Sequence, residues 1–183
     1  MKQNKVYYLT QAAAIAAIYV VLTFIANALG LSNGVIQVRF SEALTILPYF
    51  TPLAIPGLFV GCLISNLLTG CMPLDVIFGS IATLLGAIGT GLIGKAAGKW
   101  NSNTSKTAGN KMGTVLKWLT PLPPIIANTL IVPFILAYVY QFEGSIPYFM
   151  LTVGAGEVIS CGILGMILLF ALQKYAHVLF PAK

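Results

Sequence analysis

The chain has 183 residues, 58% of them hydrophobic and only 8% charged, with 10 basic residues against 4 acidic ones. A typical soluble domain carries about 25% charged residues, so an ordinary water-soluble globule is excluded. The basic excess lies in short flanks beside apolar runs and not on a polar face with interleaved aromatics, which excludes nucleic-acid binding.

Taken in order, the sequence predicts six apolar spans in a single membrane domain, 1–183. The first covers residues 6–29 and follows Lys2 and Lys5. Its apolar stretch of about 20 residues exceeds the 7–15 of a cleaved signal, so it is expected to stay as a helix. Ala12 and Ala16, and Ala13 and Ala17, repeat at a spacing of four. Such small, flat faces serve either internal packing or the docking of another membrane subunit.

The second and third spans, 41–50 and 56–70, are too short to cross alone and are expected inside the bundle. Arg39 and Glu42 flank the start of the second, where Ser41 would act as N-cap and Glu42 would face the positive helix end. Pro52 and Pro56 mark a tight turn between the two. Asn66 falls in the outer half of the third span. The fourth span, 74–97, opens with Pro73 and Asp75.

Within the fourth span, Gly89-Thr90-Gly91-Leu92-Ile93-Gly94 fits a dinucleotide-binding pattern, and Lys95 extends it toward a P-loop. Both motifs need a preceding strand, and the P-loop also needs a hydroxyl where Ala96 stands. Both are rejected, which leaves the chain without an ATPase of its own. The glycines fit better as small-residue stripes: Gly57, Gly61, Ser65 and Thr69 in one helix, Gly86, Thr90, Gly94 and Gly98 in another.

A polar, lysine-bearing loop is predicted over about 98–117, then spans at 123–140 and 147–175, each opened by proline. Asn128 lies near mid-depth in the fifth. Glu157 lies ten residues beyond Pro147, about 15 Å into a core about 30 Å thick. Lysines flank the first span, the loop and the end of the sixth, which places both termini in the cytoplasm of a multi-pass cell-membrane protein.

Arg39, Glu42, Asn66, Asp75, Asn128 and Glu157 are therefore the candidate substrate-binding residues. An ionisable group at depth is costly unless it is paired, solvated or holding a ligand. The competing account pairs Glu157 with Arg39. Tyr138, Phe142, Tyr148 and Phe149 would stack on a planar ligand or form an interfacial belt. Cys62, Cys71 and Cys161 lack metal-ligand spacing and read as packing residues, and the single His177 builds no metal site. No metal or cofactor is called for. With no nucleophile–base pair or histidine cluster, an enzyme is not expected.

Four blocks carry a resemblance: VRFSEALTILPYFTPLAIPGLFVGCLISNLL (38–68), LDVIFGSIATLLGA (74–87), LPPIIANTLIVPF (122–134) and VGAGEVISCGILG (153–165). They resemble the QueT family, queuosine-precursor substrate-binding (S) subunits of energy-coupling-factor (ECF) transporters, which are ABC-type importers. The resemblance implies six helices with cytoplasmic termini, a membrane coupling subunit and two separate ATPase subunits as partners. It also implies a 7-deazaguanine ligand, such as queuine or its aminomethyl or cyano precursors. The alanines of the first span are similar to the family's small-residue docking motif. On this reading Glu157 or Glu42 takes the guanine-like edge, and Asn66 and Asn128 read other ring positions. A second hypothesis is a self-sufficient proton-coupled transporter with Glu157 as proton carrier.

Overall fold

The computed structural model describes residues 2–31, 37–98 and 111–180, with the side chains of 2–4, 111–112, 177 and 178 excepted. The described residues are helical throughout, with no strand. The chain runs through α1 (Lys2–Ala28), a 3-10 helix (Phe40–Tyr49), α2 (Ala54–Leu68), α3 (Pro73–Ala96), α4 (Lys111–Trp118), α5 (Leu122–Tyr138) and α6 (Ile146–Glu157). A π-helical stretch (Val158–Leu164) joins α6 to α7 (Gly165–Gln173), and α8 (Ala176–Leu179) closes the chain.

Among the described residues, four helical stretches are long and apolar enough to cross a membrane: Lys5–Ala28, Pro73–Ala96, Gly113–Tyr138 and Ile146–Gln173. Ala54–Leu68 is a shorter apolar helix. These elements make a multi-pass membrane bundle, with large apolar side chains such as Leu9, Leu92, Leu151 and Ile167 exposed on its outside. In lipid that exposure carries no penalty, and the polar backbone is satisfied within helices.

The second expected span lies inside the bundle but is not an α-helix. Its 3-10 helix is ten residues long, against the three or four usual for that geometry, and Ser41 to Tyr49 are all buried. Pro48 lacks an N–H and disfavours α-helical continuation here. Ser41 is not the N-cap. That position is Arg39, and the Ser41 hydroxyl instead accepts a 2.8 Å hydrogen bond from Thr23 of α1. The predicted loop at 98–117 is corrected at its end, where Lys111–Trp118 forms α4; residues 99–110 lie outside the described residues.

The small-residue stripes are consumed by packing. A Cβ on Gly57 or Gly61 would meet α1 at 2.7 Å (Ala12 O) or 2.8 Å (Tyr19 Cβ). Gly86 and Gly89 of α3 similarly admit Pro124 and Pro123 of α5, at 2.6 and 2.5 Å from such an added carbon. The rejected nucleotide motif thus lies inside the C-terminal third of α3, with Gly89 against Pro123 of α5 and Gly94 against Tyr49 of the 3-10 helix. The larger core packs Tyr19, Ile46, Leu58 and Leu169, and a satellite gathers Leu136, Phe149 and Val153.

Candidate functional site

One polar cavity lies inside the bundle, and helical spacing explains its walls. Asp75, Gly79 and Thr83 recur every four residues along α3; Asn128 and Val132 do so on α5, and Val153 and Glu157 on α6. Gln37 and Arg39, two apart on the extended chain before the 3-10 helix, complete the wall with Glu42. Five of the six residues proposed from sequence therefore meet: Arg39, Glu42, Asp75, Asn128 and Glu157.

The close hydrogen bond to the Glu42 carboxylate comes from Tyr19, with Asn128 and Thr83 as its next polar neighbours. The Tyr19 hydroxyl donates to its Oε1, while Oε2 is buried without a hydrogen-bond partner among the described residues. Its carbonyl accepts from the Thr45 hydroxyl at 2.6 Å, which fixes the first turn of the 3-10 helix. The residue is 2% exposed, so the free oxygen can be satisfied only from the cavity.

Glu157 ends α6 where the π-helical stretch begins. The Cys161 thiol, one turn on, lies 3.1 Å from Glu157 Oε2 and 3.5 Å from the Glu42 carbonyl oxygen. It accepts from the Thr45 hydroxyl at 3.4 Å. Ser160 Oγ accepts the Arg39 backbone N–H at 3.1 Å. The wider π turn thus seats Ser160 and Cys161 against the 3-10 helix. Gly156 is obligatory here, because a Cβ would overlap the Gln37 carbonyl.

Asp75 is tied at the cavity mouth. Tyr140 donates to Asp75 Oδ2 at 2.8 Å and accepts the Met72 N–H at 3.2 Å. Arg39 Nη2 donates to Gln37 Oε1 at 3.1 Å. Among the described residues no ion pair within 4.0 Å joins Arg39 to a carboxylate, so the competing Glu157–Arg39 pair is not formed. The cavity is about 20 Å³, close to the volume needed for one water. A fused ring therefore enters only if the walls part.

The other expectations resolve differently. Asn66 is buried but does not line the cavity. Its Nδ2 lies 3.6 Å from Cys62 Sγ and backs onto Gly79, one layer behind the wall. Phe149 is buried in the satellite core, while Tyr138, Phe142 and Tyr148 are exposed, so none of these rings lines the cavity. Of the four alanines, Ala16 is buried against Gly61 and Ala12 is half-buried beside Gly57, whereas Ala13 and Ala17 face outward. The His177 side chain lies outside the described residues.

Sequence reading missed Gln37, Thr83, Tyr19 and Cys161. The last carried a usable signal: it stands four residues after Glu157, on the same helical face.

A family model described as QueT transporter matches residues 9–174. The chain is also 39% identical over 85 residues to the queuosine precursor transporter QueT of Lactococcus lactis subsp. cremoris (strain MG1363). That alignment covers 46% of this chain and 50% of the relative, about half of each. No solved structure matches.

Proposed function

Because the chain belongs to the QueT transporter family, and is accordingly no enzyme, we propose that it captures a queuosine precursor of the 7-deazaguanine class from outside the cell. In this reading it is the substrate-binding subunit of an ECF-type importer. It crosses the cell membrane six times with both termini in the cytoplasm, and a coupling subunit with two ATPase subunits drives uptake. The observation that carries the ligand reading is the cavity itself, where three carboxylates, an arginine and an asparagine converge inside an apolar bundle.

The chemistry of these groups suits such a ligand. A guanine-like edge offers a ring N–H and an exocyclic amine, which one ionised carboxylate accepts together. Glu42, with Oε2 free, and Glu157 are the two acceptors for that edge. Asn128, carrying both donor and acceptor, reads a ring carbonyl or nitrogen. Arg39 and Asp75 orient the remaining polar positions. Asn66 supports the α3 wall behind Gly79. Ala13 and Ala17 are the outward small residues available for the coupling subunit.

Calorimetric titration of the purified chain with 7-deazaguanines tests this. Glu157→Gln should weaken binding about 10- to 100-fold, the value of a charged hydrogen bond of about 1.5–3 kcal/mol, without unfolding the protein. Unchanged affinity refutes the assignment. Reconstituted uptake should need ATP and the partner subunits; uptake by this chain alone, abolished by an uncoupler, would establish proton coupling instead.

A further inference from the structure

Glu42 and Glu157 of the cavity wall meet the buried Cys161 thiol beside it, each of the three offering one ligand atom, with all three atoms within 4.8 Å of one another. We propose that these residues form a binding site for a thiophilic divalent cation such as zinc, occupied in competition with the organic ligand.

Four observations converge on it. First, Glu42 Oε2 is a buried acceptor that makes no close hydrogen bond among the described residues, and Glu42 lines this cavity. Second, the cavity of about 20 Å³ admits an ion or a water as it stands, whereas a fused ring requires the walls to move. Third, the lining gathers three carboxyl groups around one arginine, an acidic excess that a divalent cation would neutralise.

Fourth, two of the three ligands, Glu42 and Cys161, have an orienting partner of the kind that fixes metal ligands. Tyr19 occupies Glu42 Oε1 and leaves Oε2 free, and the Thr45 hydroxyl holds Cys161 Sγ at 3.4 Å. A tetrahedral zinc spaces its donors about 3.5 Å apart, so the set closes with side-chain shifts of about 1 Å. Oxygen, oxygen and sulfur supply three positions, and water the fourth. On binding, the Cys161 thiol gives its proton to solvent. The S–H bond and its contact with Glu157 Oε2, now 3.1 Å, give way to a sulfur–metal bond.

Metal binding is independent of the identity of the organic ligand; only the competition rests on the deazaguanine reading. The test is titration of the full chain in detergent with Co²⁺, read by the near-ultraviolet thiolate-to-cobalt band, and with Zn²⁺ by calorimetry. One ion per chain is expected. The band should vanish in Cys161→Ser, and Zn²⁺ affinity should fall at least tenfold in Cys161→Ser and in Glu42→Gln, with both variants melting as folded proteins. No thiolate band in the wild type overturns the proposal. So does a band that survives Cys161→Ser, which would place the ion at Cys62 or Cys71. Zinc saturation should weaken 7-deazaguanine binding at least tenfold; simultaneous undiminished binding of both overturns the competition. A chain that binds cobalt through Cys161 but no deazaguanine sinks the deazaguanine reading and leaves the metal site standing.

Discussion

Tyr19→Phe removes one oxygen from the interior and tests how Glu42 is held. Tyr19 is 1% exposed and Glu42 2%, so water does not replace the lost donor. The hydroxyl is the donor to Oε1, and Oε2 makes no close hydrogen bond among the described residues, so the variant removes the close side-chain donor and leaves the carboxyl only its weaker polar neighbours Asn128 and Thr83. A hydrogen bond to a charged group contributes about 1.5–3 kcal/mol. In a chain of this size 1 kcal/mol shifts Tm by about 2–4 °C, so the melting point should fall by roughly 3–12 °C. A double-mutant cycle with Glu42→Gln isolates the pair, and its coupling should reach at least about 1 kcal/mol. Differential scanning calorimetry in detergent supplies all four melting points. Additive effects, with coupling below about 0.5 kcal/mol, would show that Tyr19 acts by packing alone and refute the argument.

Four more outcomes follow from the same geometry. Ala16→Leu forces a larger side chain between α1 and Gly61 and should cost about 1–3 kcal/mol in thermal unfolding. Ala13→Leu, on the outward face, should leave Tm unchanged while reducing co-purification with the coupling subunit; wild-type yield counts against docking there. Gly156→Ala drives a methyl into the Gln37 carbonyl, so the segment carrying Arg39 must shift. Ligand affinity measured by calorimetry should drop at least tenfold, and an unperturbed affinity would mean that this segment does not shape the site. Tyr140→Phe removes the acceptor of the Met72 N–H, which should exchange faster in hydrogen–deuterium exchange while α2 protection is retained. Identical Met72 exchange would show that the contact is not maintained in solution.

The cavity was legible in the sequence where a residue's presence is itself expensive. Arg39, Glu42, Asp75, Asn128 and Glu157 stand out because membrane burial penalises their types wherever the chain takes them. Asn66 obeys the same rule, yet a neighbouring thiol suffices for it, so cost alone does not separate a wall from the layer behind it. Thr83, Tyr19 and Cys161 escape because apolar helices tolerate hydroxyls and thiols cheaply, and only the fold shows which of them face a carboxylate. The helical bundle was readable from hydropathy. The 3-10 geometry was not, since a segment buried on all sides has no amphipathic period from which to infer its winding. The π turn leaves no mark in composition either, because it shifts register by one residue without requiring a special one.

The 3-10 helix also alters how far a short segment reaches. At about 2.0 Å per residue, ten residues extend roughly 20 Å, where an α-helix of the same length covers about 15 Å. That length is comparable to about two-thirds of a 30 Å hydrocarbon layer, reached by a stretch half as long as a conventional membrane-spanning helix. The stretched winding lets a few residues span distance inside the protein, and it puts Glu42 near the start of a thin rod that is buried from Ser41 to Tyr49.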